Sequence, residues 1–599
     1  MASSGSISIH AQNIMPIIKK WLYSDKDIFI RELVANGCDA IAKRKIADPG
    51  AEVEYRVTVE ADEAAGELRF IDNGIGMTAE EVEKYINQVA FSGAEEFLKQ
   101  YGDEKNPKGG IIGHFGLGFY SAFMVADKVT IDTLSFHEDA ASVRWTSEDG
   151  MRYEIDEGSR DLPGTTITLH LAEAEHEFLH EHTLRETLEK YCAFMAVPIF
   201  LGKGEQPIND TNPLWLKNPS DCTDEEYKAF YTKVFHDFEP PLFYVHLNVD
   251  YPFNLKGILY FPKLRQDFGG VAEGQIKMFS GQVFVADNIK EVIPEFLTLL
   301  KGVIDCPDLP LNVSRSFLQN DGYVKKLSAY ITRKVADKLT GLFNTERENY
   351  QKYWDDINPF IKYGCMKDES FYERMKDALL FKLTDGTYVT LAQYLEANRE
   401  KAENKVFYAT DATLQAAAIA MYTSQGIGVA LLNSLIDVNY ISFLEFKNSD
   451  VKFSRVDAGV DGLTADADAA QEQPDAGKLT AFFRDALGDD KLDVTVTALR
   501  DEALPAMVTE DEQARRFKDM SRIYGGNFAM PAQCKLTLNS RSPVVAALAK
   551  REANEETLEI CRQVFDLAQM AREPLEAQAL SAFIARSNKL LSMLLSRDA

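Results

Sequence analysis

Residues 27–45 read DIFIRELVANGCDAIAKRK, and the spacing within this stretch decides the fold. At about 100° per residue, Glu32, Asn36, Asp39 and Lys43 fall within roughly 60° of one another on a helix. Ile30, Leu33, Val34, Gly37 and Ile41 take the opposite side. A solvated polar face explains such a stripe by itself. Two details weaken that reading: Asn36 and Gly37 are both poor helix formers in mid-helix, and Gly37 suits a position where a neighbour packs closely.

Three further segments sharpen it. FIDNGIGMT, Phe70 to Thr78, is an apolar strand that ends in Asp72 and runs into two glycines. A carboxylate at a strand end accepts a hydrogen bond from an exocyclic amine, and the glycines let the backbone approach a flat ring. GGIIGHFGLGFYS, Gly109 to Ser121, brackets a short loop with Gly113, Gly116 and Gly118 ahead of the apolar run FYSAFMVA. Glycine-rich loops entering a helix offer unpaired N–H groups to phosphate oxygens, although the G-K-[ST] of a P-loop is missing here. Gly164-Thr165-Thr166-Ile167 places a hydroxyl at a strand start.

The rest of the chain bounds the function. Its 599 residues carry 65 Lys and Arg against 93 Asp and Glu, a net charge of −28, which makes a phosphate backbone a poor partner. Seven widely spaced cysteines without a C-x-x-C pair read as reduced thiols. No apolar run approaches a membrane span, and the start, MASSGSISIH, lacks the basic and apolar regions of a secretory signal, so a cytoplasmic protein without membrane or nucleic-acid partners is expected. Residues 458–477, AGVDGLTADADAAQEQPDAG, read as a linker or mobile loop, and a softer boundary falls at 202–212. Strands are expected at 53–59, 67–71, 165–169 and 257–261, and a helix-like stretch that ends in YCAFMAVPIFL, 191–201. His176-Glu177-Phe178-Leu179-His180 spells the zinc-protease H-E-x-x-H, but its flanks, AEAE and EHTLRE, belong to a charged, solvated helix with chance histidines.

An E-x-x-x-N helix, then D-x-G-x-G, G-x-x-G-x-G and a G-T strand together resemble the GHKL nucleotide-binding fold of gyrase, the heat-shock protein 90 chaperones, sensor histidine kinases and MutL. YSDKDIFIRELVANGCDA (23–40), IGHFGLGFYSAFMVADKV (112–129), PLWLKNPSDCTDEEYKAFY (213–231) and DLPLNVSRSFLQ (308–319) resemble the heat-shock protein 90 family, its bacterial HtpG branch in particular. The charge speaks against a DNA-acting relative. The resemblance implies a multidomain α+β and α/β fold. Residues 1–205 would form an N-terminal GHKL (Bergerat) two-layer α/β sandwich with a lid at about 87–112. Residues 212–457 would form a middle domain of αβα layers, and 478–599 a C-terminal α/β dimerisation domain.

By the same resemblance, Glu32 would be the general base, Asn36 would hold Mg²⁺ on ATP, and Asp39 and Lys43 would border the nucleotide. Asp72 would bind the adenine amine with Gly76, Met77 and Thr165 around the base, while Gly116, Leu117, Gly118 and Phe119 contact phosphates. Arg315, with Gln319 beside it, would reach the γ-phosphate from the middle domain. The implied protein is a homodimeric, ATP-hydrolysing chaperone of the stress response that binds non-native clients, with the DnaK chaperone system as a further partner; an ATP-independent holdase with a degenerate nucleotide site is the alternative. Phe517, Met520, Ile523 and Tyr524, with Phe528, form a client-patch candidate, and Phe238, between Asp237 and Glu239, a weaker one. Leu580, Phe583, Ile584, Leu591, Leu594 and Leu595 form an apolar stripe suited to a second subunit. Two departures stand out: Asn36-Gly37-Cys38-Asp39 replaces the family's N-A-S-D, and Phe91 stands where the family has a lysine near the nucleotide. A Phe91→Lys change is expected to tighten nucleotide binding.

Overall fold

The computed structural model describes residues 25–597 except 89–96, 98–112, 114–115, 253, 264–274, 290, 313–321, 461–462, 466–473, 511, 513–514, 517–533 and 573–574. Phe91, Arg315, Gln319 and the candidate client residues Phe517, Met520, Ile523, Tyr524 and Phe528 therefore lie outside the described residues, as does most of the expected lid. The chain divides into two compact units, Met1–Val335 and Ala336–Ala599.

The first unit opens with helix α1 (Ile28–Ala47) and strands β1 (Val57–Asp62) and β2 (Glu67–Asp72), followed by the short helix α2 (Ala79–Tyr85). Thr78 and Glu81 form a capping box at the start of α2. Strands β3 (Ala126–Leu134), β4 (Val143–Ser147), β5 (Glu154–Glu157), β6 (Gly164–Leu171) and β7 (Ile199–Leu201) complete a seven-stranded sheet in the order β5-β4-β3-β6-β2-β1-β7. Its pairs are antiparallel except β1 with β7. Helix α3 (Glu181–Cys192) stops well short of the expected stretch to residue 201. Pro198 disfavours helical backbone at Val197, and the chain re-enters the sheet as β7.

One face of this sheet carries α1. Phe29 meets Phe70 edge-on with ring centroids 6.3 Å apart. Gly37 faces Val57, where a Cβ would lie 3.1 Å from Val57 Cγ2, so the expected close neighbour of Gly37 is β1. The alternation of β2 buries Leu68, Phe70 and Asp72 on the same side. The pleat that sends two apolar residues into the core thus sends a carboxylate in with them.

A second, five-stranded sheet follows, built from β8 (Phe243–Val249), β9 (Leu255–Phe261), β10 (Ile276–Ser280), β11 (Val283–Asp287) and β12 (Lys301–Asp305) in the order β11-β10-β12-β9-β8. Helix α4 (Asp224–Phe235) begins at the Thr223–Glu226 capping box. One apolar core runs from α1 into this sheet. Phe194 packs against Trp215 at 4.7 Å and Phe279 at 5.5 Å between ring centroids, so aromatic side chains flank the 202–212 stretch on both sides. Phe238 is 87% exposed.

Helix α5 (Gly322–Thr345) leads on to the second unit, with helices α6 (Arg347–Lys367), α7 (Glu369–Met375), α8 (Leu391–Ala402), α9 (Ala416–Thr423) and α10 (Asp437–Lys447). Between them lie the β13 (Leu380–Lys382) and β14 (Tyr388–Thr390) hairpin and a parallel sheet of β16 (Ala430–Leu431), β15 (Lys405–Ala409) and β17 (Lys452–Arg455). The last layer sets helices α11 (Ala476–Leu487), α12 (Pro543–Ala549), α13 (Glu555–Met570) and α14 (Ala577–Arg597) with a sheet of β18 (Asp493–Thr497), β20 (Cys534–Asn539) and β19 (Ala506–Glu510). Helix α14 is tied to α13 by Gln563 Nε2 donating to Ser587 Oγ at 2.8 Å and by the Arg586–Asp566 ion pair. Its apolar stripe stays open: Leu591, Leu594 and Leu595 are 58%, 60% and 75% exposed. Among the described residues, no helix is long and apolar enough to cross a membrane.

Candidate nucleotide site

A cavity of about 260 Å³ opens between α1, the ends of β2 and β6, and the loop before a 3₁₀ helix at Gly118–Met124. Eleven of the expected residues line it: Glu32, Asn36, Asp39, Lys43, Asp72, Gly76, Met77, Gly116, Gly118, Phe119 and Thr165. Leu117 sits in the same loop but not in the wall. The polar face of α1 is therefore the wall of a pocket rather than a solvated surface, and Glu32 and Asp39 are buried.

The floor is built around Asp72. Its Oδ1 accepts the Gly74 N–H at 2.8 Å. Burial pushes its carboxyl up to about 6, opposed by the Gly74 N–H, the Arg160 guanidinium and the Thr165 N–H. Beside it, Thr133 Oγ1 lies 3.0 Å from Thr165 Oγ1 and accepts the Met77 N–H at 3.0 Å. Gly76 has φ +63°, and a Cβ there would fall 1.8 Å from the Leu134 carbonyl oxygen, so glycine alone fits that turn. Ile75, Met77, Ile131 and Ile167 supply apolar walls.

The mouth is charged. Arg31 Nε and Nη2 donate to Glu32 Oε1 at 3.0 and 2.8 Å. A Cβ on Gly118 would lie 2.7 Å from Glu32 Oε2, so that oxygen faces the glycine loop. Asp39 Oδ2 accepts the Gly113 N–H at 2.6 Å. Lys43 is held below its ordinary range by burial, against the pull of Asp39 and Glu81. Tyr120 donates through its hydroxyl to the Ile86 carbonyl, and Trp145 Nε1 donates to Asn87 Oδ1 at 2.9 Å, which pins the chain where the expected lid begins.

Sequence reasoning passed over Thr133, Arg160, Glu81, Tyr85 and Phe97. The alternation Val129, Ile131, Thr133 along β3 would have found the first; Glu81, Tyr85 and Phe97 line the cavity from segments distant from α1 in sequence, and Arg160 bonds the main-chain oxygen of Asp72 without lining it. The H-E-x-x-H histidines are not brought together on an α-helix. His176 lies on a 3₁₀ turn, Glu173–Leu179, with Nε2 3.3 Å from the Leu171 carbonyl, whereas His180 Nδ1 lies 3.3 Å from Glu63 Oε1. That segment is not wholly solvated either, since Glu175, Phe178 and Leu179 are buried.

The cavity thus sets a buried acceptor, Asp72, among apolar walls, with glycine backbone and carboxylates at its rim. The family model described as "Histidine kinase-, DNA gyrase B-, and HSP90-like ATPase" matches residues 24–168, and the model described as "Hsp90 protein" matches residues 202–599. The chain belongs to the Hsp90 family. Among its Hsp90 relatives, the chaperone protein HtpG of Bacteroides thetaiotaomicron is 41% identical over 92% of this chain and 84% of its own length. That of Porphyromonas gingivalis is 40% identical over 91% and 84%. The chaperone protein HtpG of Cupriavidus metallidurans is 31% identical over 98% of this chain and 99% of its own. The expected family and fold class are thereby confirmed, and the pocket lies in the part that matches the Hsp90-like ATPase model.

Proposed function

We propose that this Hsp90-family chain is an ATP-driven molecular chaperone that binds and hydrolyses ATP in the cavity described above. The observation that carries the reading is the convergence of Asp72, Thr165, Glu32, Asn36 and Asp39 on one cavity. Asp72 takes the adenine amine as acceptor, with Thr165 and Thr133 fixing the base edge. The N–H groups around Gly116–Phe119 face the phosphates. Glu32, held by Arg31 through one oxygen, keeps the other for the proton of an attacking water.

The donor set fits a hard divalent cation: an amide oxygen on Asn36 sits amid buried carboxylates that would otherwise repel a triphosphate. Asn36 would hold Mg²⁺, which when bound neutralises phosphate charge. Arg315 and Gln319 complete the site from the segment after β12 in this reading, and Phe91 weakens the nucleotide's hold relative to lysine.

The cycle proposed is the one that the family resemblance implies. Two copies join through the exposed stripe of α14, closure of the lid at about 87–112 accompanies ATP binding, and hydrolysis resets the clamp. In this reading non-native clients are held by the apolar residues of the 517–524 segment and at Phe238, the DnaK system is a partner, and the protein works in the cytoplasm. Calorimetric titration with ADP and Mg²⁺ tests the nucleotide reading. Micromolar binding that Asp72→Asn abolishes supports it; absence of binding by the unaltered chain favours the holdase.

A further inference from the structure

Arg160 lies in the connection between β5 and β6, and its side chain reaches the main chain at the end of β2. Nη2 donates to the main-chain oxygen of Asp72 at 3.1 Å, Nη1 to Thr166 Oγ1 at 2.5 Å, and Nε to the Leu162 carbonyl at 3.3 Å. Its own N–H donates to Ser142 Oγ at 3.0 Å. Gly164 makes room for this arrangement. Its φ is +131°, and a Cβ there would fall 2.2 Å from the Asp72 oxygen and 2.8 Å from Arg160 Nη2. The slot that Gly164 leaves empty is the one through which the guanidinium reaches Asp72.

Few titratable groups face the Asp72 carboxylate among the described residues. β1 opposes it with Val57 and β6 with Thr165. From α1 comes the Cys38 thiol, which burial holds well above its ordinary range and therefore neutral. Arg160 is the cation, and Asp132 on β3 faces Arg160 in turn.

We propose that Arg160 is a positioning residue for nucleobase recognition: seated through Gly164, it keeps Asp72 ionised and aimed as an acceptor, so that a purine amine is bound at neutral pH. This rests on the reading of the cavity as an adenine-nucleotide site. Burial already brings the Asp72 carboxyl up to about 6, and loss of the guanidinium moves it further toward neutrality. A protonated carboxyl gives up an acceptor site, so affinity becomes dependent on pH in the working range.

The test is ADP binding to the full chain at pH 6, 7 and 8.5, for the unaltered protein, Arg160→Gln and Arg160→Lys. At pH 6, Arg160→Gln binds about two- to fivefold more weakly, as follows from a midpoint raised from about 6 by about half to one pH unit, and at pH 7 the deficit is about twofold or less. The deficit closes at pH 8.5, and Arg160→Lys recovers most of it. Equal weakening at every pH, or no weakening, overturns the proposal. Carboxyl-¹³C aspartate resonances of the nucleotide-free chain, with Asp72→Asn marking the signal, read the same titration without ligand. If the unaltered chain binds no ADP, the nucleotide reading fails; an Asp72 midpoint unmoved by Arg160→Gln then overturns the coupling as well.

Discussion

Glu32 divides its two carboxylate oxygens between two neighbours: Oε1 is held by Arg31, and Oε2 looks onto the place where Gly118 has no side chain. The helix that bears the proposed base and the loop proposed to face the phosphates are thereby fitted to each other at one glycine. Gly118→Ala puts a methyl 2.7 Å from Oε2, and the carboxylate is the flexible partner that moves. ATP turnover should fall by about tenfold or more, because misplacing a reacting group by an ångström costs up to about a hundredfold. Thermal unfolding should change little, since the backbone at Gly118 does not have a positive φ. Unaltered turnover in a folded Gly118→Ala protein speaks against Glu32 as the base.

Gly76→Ala behaves differently. There the obstacle is the Leu134 carbonyl, whose oxygen would stand 1.8 Å from the new methyl, and φ is +63°. Neither backbone can retreat without disturbing the turn after β2. The expected loss is about 2–4 kcal/mol of stability in urea unfolding, with nucleotide binding reduced in parallel. A loss below about 0.5 kcal/mol contradicts the packing described.

Asp305, at the end of β12, offers a pH prediction with a definite sign. Its Oδ2 accepts the Gln282 N–H at 2.9 Å and faces Trp215 Nε1 at 3.4 Å, while Oδ1 has no hydrogen-bond partner among the described residues. Burial raises its carboxyl to about 6. Because the folded state holds the proton more tightly than the unfolded one, the stability linked to this group is fully present below about pH 4. It is lost as pH rises through about 6. Asp305→Asn keeps an acceptor for Gln282 without the charge. At pH 8 it should be more stable than the unaltered chain by about 1–3 kcal/mol, shrinking toward pH 5, as read by urea unfolding at the two pH values. Lower stability of Asp305→Asn at pH 8 would contradict the raised carboxyl.

At the other end of the chain, Leu594→Glu with Leu595→Glu should leave the protomer folded, since both side chains are exposed and α14 is held to α13 through Ser587 and Arg586. Sedimentation should show the dissociation constant of the proposed dimer raised about a hundredfold or more, because two charges then enter a desolvated seam. An unchanged dimer would place the interface elsewhere.

Periodicity alone gathered Glu32, Asn36, Asp39 and Lys43 on one face of α1, and the alternation of β2 carried Asp72 inward with Leu68 and Phe70. A pocket wall and a solvated face have the same helical period, so only tertiary structure separates them. The strand expected from residue 53 starts at Val57, because the β1–β2 ladder ends at the Val57–Asp72 pair and the Asn73 side chain takes the next main-chain groups, accepting the Arg56 N–H at 2.9 Å and donating to the Glu54 carbonyl at 2.8 Å. The FYSAFMVA run forms a 3₁₀ rather than an α-helix, packed under α1. Arg160 was illegible, since its partners lie 88 residues away at Asp72 and across a turn at Leu162.

The measurement that bears most directly on the proposed ATPase is steady-state ATP hydrolysis by the unaltered chain beside Glu32→Ala, with ADP affinity measured in both. The expected result is turnover by the unaltered protein, loss of it by at least about a hundredfold in Glu32→Ala, and retained ADP binding in the variant. Full turnover in Glu32→Ala, or none in the unaltered chain, would contradict it.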